Sequence, residues 1–164
     1  MTTPQPIPKE QFLAVIEKTA LVSIDLICLN DAGEVLLGLR NNRPAQGSWF
    51  VPGGRIFKDE RVADGLRRIA AKELGLQALN PRLALPLGVF QHLYADNFAG
   101  VPDVSTHYIV LAYEILIGDA SSLAIDPQHS ELRWFAVPEL LACEQVHPYT
   151  KAYFDASIDV TRVP

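Results

Sequence analysis

The sequence predicts an α+β fold, a mixed or antiparallel β-sheet with helices packed on it, and three observations carry that expectation. Strand-like runs rich in Val, Ile and Leu stand on both sides of one central helical segment. Most connections between those runs have hairpin length. The prolines are scattered between periodic segments, with no repeat, low-complexity tract or linker, so the 164 residues are expected to form a single domain, 1–164.

The elements follow in order. An amphipathic helix is expected over Lys9–Lys18. Residues 20–30 and Val35–Arg40 should pair as a hairpin across Asn30-Asp31-Ala32-Gly33, a turn signal. A polar loop holding Pro44 leads to a short strand, Trp49-Phe50-Val51, stopped by Pro52-Gly53-Gly54. Helical periodicity runs over residues 61–74, with Asp59 as the expected cap and Gly75 as the stop. Strands are expected over residues 83–94 and 105–117, joined through Asp96, Asn97, Gly100 and Pro102, and again over residues 132–136. Residues 138–143 and 149–157 read as closing helices.

Charge narrows the function classes. With 19 acidic against 14 basic residues the net charge is -5, so no basic field attracts nucleic acid or anionic lipid. A phosphate-bearing ligand would need locally placed arginines, a metal ion, or both. The longest apolar runs, residues 83–87 and 109–112, fall far short of the ~20 residues that span a bilayer. The polar, proline-bearing start lacks the basic-then-apolar pattern of a secretory signal, so a soluble, cytoplasmic protein is expected. Cys28 and Cys143 read as buried or idle thiols.

The central helix holds the chemical signal. Spacings of four, three and four put Val62, Leu66, Ile69 and Glu73 on one narrow stripe, so a carboxylate sits within an apolar face. Burial there is costly unless the group is paired, protonated or bound to a cation; a solvated stripe end with Glu73 reaching outward is the plainer alternative. Before the helix, Pro52-Gly53-Gly54-Arg55 removes side-chain bulk where backbone could approach an ion or phosphate. Gly54, five residues, Glu60, seven residues, Arg68, then Glu73-Leu74-Gly75-Leu76 resembles the signature of the Nudix hydrolases, a loop-helix-loop binding divalent cation and diphosphate. The resemblance implies a Nudix-type α/β/α sandwich with this segment, residues 54–76, as its catalytic part.

The pattern departs from the family at Ile69 and Lys72, where carboxylates are usual, and keeps Glu73. That loss should remove the ordinary multi-metal site; one Mg²⁺ needs only one or two protein ligands plus substrate oxygens and water. The altered signature is similar to that of the GDP-mannose mannosyl hydrolases, the Nudix branch that cleaves a glycosidic C–O bond. Asn42 to Gly47, Trp49 to Arg55, Gln91-His92, Asp96-Asn97-Phe98, Thr106-His107-Tyr108, Gln128-His129 and Arg133-Trp134 extend the likeness over most of the chain.

The resemblance implies metal ligation by Glu73, the Gln128 side chain and the Gly53 carbonyl, with Mg²⁺ as cofactor and Mn²⁺ as a substitute. It implies His129 as general base, on a mobile loop over residues 126–130, and Arg40 and Arg55 as the groups neutralising the leaving GDP. Asp25 is implied on the sugar or leaving-group side with Tyr108, and Arg68 and His92 as further substrate contacts. From the helical wheel alone, Arg68 would pair on the surface with Asp64 or with the neighbours of Lys72; His92, His107 and His147 have weaker claims, with structural or surface roles favoured. Trp49 and Trp134 read as core anchors. The resemblance further implies a homodimer acting on a GDP-sugar. Two other readings compete: a Nudix pyrophosphatase attacking phosphorus, and a nucleotide-sugar-binding module without catalysis.

Overall fold

The computed structural model describes residues 6–118, 123 and 129–158. After α1 (Lys9–Lys18) come β1 (Leu21–Leu29), β2 (Val35–Arg40), β3 (Trp49–Phe50), β4 (Gly53–Arg55) and α2 (Val62–Leu74). A 3-10 turn at Pro81–Leu83 leads to β5 (Leu85–Tyr94), β6 (Thr106–Leu116), β7 (His129–Phe135), α3 (Val137–Ala142) and α4 (Pro148–Lys151).

The sheet is mixed, as expected. Its main path runs β3-β2-β1-β6-β5, while β4 pairs with β1 and β7 with β2. β1 and β6 lie parallel, from Leu21 opposite Tyr108 to Leu29 opposite Leu116, and the other pairings are antiparallel. β1 is buried on both faces, which explains its nearly unbroken apolar run. Ile24, Leu26 and Cys28 pack under Leu66, Ile69, Ala70 and Leu74 of α2. Ile27 turns the other way, into a second cluster with Phe50, Phe90, Phe135, Leu140, Tyr149 and Tyr153. Helices therefore cover both sheet faces, the expected sandwich. Among the described residues no helix is long and apolar enough to cross a membrane.

Three local expectations are corrected. The segment read as a stop after Trp49-Phe50-Val51 contains β4, whose glycines pair with Asp25 and Ile24 of β1. Glycine disfavours strands on entropy, yet here it permits a close backbone approach. Asp59 does not cap α2: it sits in a turn at φ 66°, and Arg61 occupies the N-cap without a side-chain bond. Gly75 does end the helix, at φ 72°. The expected loop over residues 126–130 is strand from His129 onward. Val62, the first residue of α2 and of the stripe, remains 37% exposed.

Candidate active site

β1, β2, β4 and α2 wall a cavity of about 620 Å³, closed on its far side by α1, β5, β6 and the loop carrying Phe98. Glu73 is only 2% exposed and lines this cavity, so it does not reach outward into solvent. Lys72 Nζ meets its Oε1 at 3.1 Å, and half of the Lys72 side chain remains in water. The sequence missed this neighbouring cation because adjacent helical residues point about 100° apart and long side chains must curl to meet.

Gly53, on β4, lines the same cavity. Leu26 N–H donates to the Pro52 carbonyl at 2.8 Å and Ile56 N–H to the Val22 carbonyl at 2.9 Å. Antiparallel alternation then makes Gly53 and Asp25 a non-hydrogen-bonded pair, so the Gly53 carbonyl points away from β1. Buried carboxylate and backbone carbonyl are hard oxygen donors of the kind Mg²⁺ takes. Among the described residues no group of three or more His, Cys, Asp or Glu is placed to hold a metal, so these donors fit one cation completed by substrate oxygens and water. Gln128, the third expected ligand, lies outside the described residues, as does the side chain of His129.

A side chain at Gly53 has no room. A Cβ there would lie 2.5 Å from Asp25 Oδ1 and 2.7 Å from the Ile24 carbonyl oxygen. Gly53→Ala should therefore cost about 1 to 3 kcal/mol of stability, the usual range for forced overpacking. Urea unfolding checks this. At Gly54 the nearest atom is the side-chain carbon Ile69 Cγ1 at 3.2 Å, a longer approach than either at Gly53, so Gly54→Ala should cost less; equal costs would contradict the close approach at Gly53.

Asp25 is 7% exposed at the cavity floor. Burial pushes its carboxyl up to about 7, against the opposing effects of a Tyr153 hydrogen bond and the charge of Arg40. Tyr153 Oη donates to Asp25 Oδ2 at 2.6 Å. Tyr153 had no signal in the sequence: a Tyr near the C-terminus reads as ordinary core.

The basic side is built by three arginines. Arg40 donates from Nε to the Pro44 carbonyl at 3.0 Å, and its guanidinium stands 5.8 Å from the Phe50 ring centre. Arg55 lies 3.6 Å over the Phe12 ring, so α1 seats a cation of the cavity by a cation–π contact. Arg68 reaches the cavity wall, but not through the surface pairing the wheel allowed, since Asp64 pairs with Arg67. Arg68 Nε and Nη2 meet the two Glu60 oxygens at 2.6 and 2.8 Å, and Nη2 also donates to the Arg55 carbonyl at 2.7 Å. Burial works against the Glu60 carboxylate, yet the Arg68 bonds and the Phe57 N–H hold its pKa below the ordinary value. Arg68 thus fixes the backbone of Arg55, and two of its three nitrogens are engaged within the protein.

His92 is buried at 2% exposure, stacked on Tyr149 at 4.3 Å. Burial, then the nearby His147, lowers its pKa from 6.5 to about 3. It lines the cavity as a neutral ring. His147, packed on Phe50 and Tyr149, is lowered to about 4 by burial and by Arg40. His107 faces Gln91 at 2.7 Å. Tyr108 lines the cavity beside Arg55, with its hydroxyl pKa raised by burial. Trp49 is core, edge-on to Phe135; Trp134 is half-buried against the α2-side cluster.

The two depressed histidines predict acid sensitivity. Above about pH 6.5 both are neutral, folded or unfolded. Below it the unfolded chain takes protons that the folded state refuses, so stability falls as pH drops toward about 4 for His147 and about 3 for His92. Asp25, raised to about 7, works the other way and adds stability as pH falls. The histidine share is therefore read from the difference between wild type and His147→Gln in urea midpoints from pH 7.5 to 4: the variant should lose less on acidification, and an equal loss would remove His147 from the account.

A carboxylate delivered by a helix, a glycine strand whose carbonyl turns away from β1 and a rim of arginines define a phosphate-handling hydrolase built on a loop-helix-loop. A NUDIX domain is matched over residues 19–156, which takes in all seven strands and α2. The chain belongs to the Nudix hydrolase family. It is 40% identical over 151 residues to the low-salt glycan biosynthesis protein Agl8 of Haloferax volcanii, covering 92% of this chain and 90% of that protein. Among solved structures, the MutT protein from Methanosarcina mazei Go1 matches with a TM-score of 0.68 at 22% identity, covering 87% of this chain and 95% of that one. The NUDIX domain of Shewanella oneidensis NrtR, complexed with ADP ribose, matches with a TM-score of 0.62 at 19% identity, covering 92% and 97%. At those identities the two structures establish the fold.

Proposed function

We propose that the protein hydrolyses a GDP-sugar, GDP-mannose or GDP-glucose, at the anomeric carbon, releasing GDP and free sugar. The observation that carries this reading is the single buried carboxylate of α2. Of the two positions where the family usually places further carboxylates, Ile69 is buried core and Lys72 is ion-paired to Glu73. A site so stripped suits departure of an intact diphosphate better than activation of water at phosphorus. The 40% identity to a protein named for glycan biosynthesis supports a sugar-nucleotide substrate.

In this reading Mg²⁺, with Mn²⁺ as a substitute, is held by Glu73, the Gly53 carbonyl and the Gln128 side chain, and when bound supplies positive charge to the departing diphosphate. Arg40 and Arg55 add charge-assisted hydrogen bonds to the same leaving group. Asp25 and Tyr108 meet the sugar, His92 lies beside them as a neutral ring, and Arg68 keeps Arg55 in place. His129 takes a proton from water; the water oxygen bonds to the anomeric carbon as the C–O bond to GDP breaks, and the electron pair leaves with GDP. A single displacement inverts the anomeric centre. A cytoplasmic homodimer belongs to the same reading.

The test is product analysis. Protein, Mg²⁺ and GDP-mannose are incubated and followed by proton and phosphorus NMR. GDP plus β-mannose is expected. GMP plus mannose 1-phosphate would replace this reading with phosphorus attack, and tight binding without turnover would replace it with a binding module.

A further inference from the structure

Asp25 is the acidic group of the cavity floor, and one of its two oxygens is already taken. Tyr153 Oη donates to Oδ2 at 2.6 Å within the core, while Oδ1 lies against Gly53 on the side of β4. The last torsion of an aspartate is soft and roughly two-fold, so its orientation needs a partner. We propose that Tyr153 is the positioning residue for Asp25: its hydroxyl occupies Oδ2 and leaves Oδ1 as the oxygen that meets the sugar. The inference rests on the GDP-sugar reading for what Oδ1 contacts, and on geometry alone for the hold on Oδ2.

The hold is built from an anchored turn. Tyr149 lies in α4 and Tyr153 two residues past its end, where the Tyr153 N–H donates to the Thr150 carbonyl at 3.2 Å. The Tyr149 hydroxyl accepts from Leu93 N–H at 3.0 Å and donates to the Leu93 carbonyl at 2.6 Å, tying this turn to β5. One turn on, the Tyr153 ring is set edge-on to Phe90 at 4.7 Å and 84°, which leaves its hydroxyl aimed at β1. His92 Nε2 stands 3.4 Å from that hydroxyl on its other side. Two tyrosines thus connect the C-terminal segment to two strands, and the second bonds from the core to Asp25, which lines the cavity. Asp25 is thus held through Oδ2 by Tyr153, while Oδ1 faces the space that Gly53 leaves by carrying no side chain.

Tyr153→Phe removes only the hydroxyl and keeps the ring that packs on Phe90. Measured on the full chain with Mg²⁺ and GDP-mannose, kcat should fall about 10- to 100-fold, the cost of a slightly misplaced group, while KM moves less than about 3-fold. In an Asp25→Asn background the same change should alter kcat less than about 3-fold, since the carboxylate to be positioned is already gone. A kcat within 2-fold of the parent, or an equal loss in both backgrounds, would overturn the proposal. A purely structural role would move melting temperature and both backgrounds alike.

The wild-type products decide the GDP-sugar reading separately. If the wild type turns nothing over, the Kd values for GDP-mannose and GDP take the place of kcat: Tyr153→Phe should narrow the difference between them, and an unchanged ratio would overturn the proposal. If Tyr153→Phe does not fold, the wild type alone still decides the matter. A slowly exchanging tyrosine hydroxyl proton at low field, displaced in Asp25→Asn, is expected in proton NMR, and its absence would refute the bond.

Discussion

Glu73→Gln is expected to lower kcat about 10³-fold and to raise the Mg²⁺ concentration needed for half-maximal activity. Several kcal/mol of charge stabilisation is what a bound divalent cation contributes to a departing phosphate group, and each ~1.4 kcal/mol is tenfold in rate. Gln keeps the size of the side chain and an oxygen donor but removes the negative charge, so the effect falls on the cation and not on packing. The site makes the change tolerable to the fold. Glu73 is 2% exposed, the Lys72 beside it stays half in water, and a neutral amide costs less to bury than a carboxylate. Melting temperature should hold while activity collapses. A titration of kcat against Mg²⁺ and Mn²⁺ separates the outcomes: an unchanged metal dependence would remove Glu73 from the ligand set, whereas a uniform loss at every metal concentration would give it a role in chemistry and not in affinity.

Much of this was legible in the sequence because two periodicities coincide with chemistry. The 3.6-residue stripe of α2 placed Glu73 inward, and the structure puts it against the cavity. The hairpin signal at residues 30–33 gave the β1–β2 pairing, with Leu29 opposite Val35. The α+β class followed from strands flanking one helix. Long-range pairing was not legible. Nothing local says that Gly53 and Gly54 form a strand on β1, because glycines with a preceding proline read as punctuation and only the narrow space beside Asp25 requires them. The partner of Arg68 was misplaced for a related reason: a helical wheel sees residues three and four away, whereas Glu60 lies eight back, ahead of the helix and turned under it. Tyr153 reaches Asp25 across 128 residues, a distance over which pattern carries no information.

His129→Ala should reduce kcat by about 10² to 10⁴, the usual contribution of a positioned general base, with KM little changed. The backbone register of β7 supports that assignment. From Val35 opposite Phe135 to Leu39 opposite Glu131 the pairing with β2 is regular, and an irregularity then falls between Leu39 and Arg40, so that Arg40 stands opposite His129 instead of Ser130. Such bulges bend a strand and re-aim what it carries, and they gather near active sites. Here the irregularity brings the backbone of His129 level with an arginine that lines the cavity. In the proposed role, His129 would be carried at the start of β7, where the backbone is held more firmly than in a free loop. Loss of the base should therefore appear in kcat and in the acidic limb of its pH profile, with GDP affinity preserved. Partial recovery by added imidazole would show that the missing function is proton removal. Near-full activity of His129→Ala at saturating Mg²⁺ would reject the base, and the water would then have to be deprotonated by another group at the floor, of which Asp25 is the nearest by chemistry and burial.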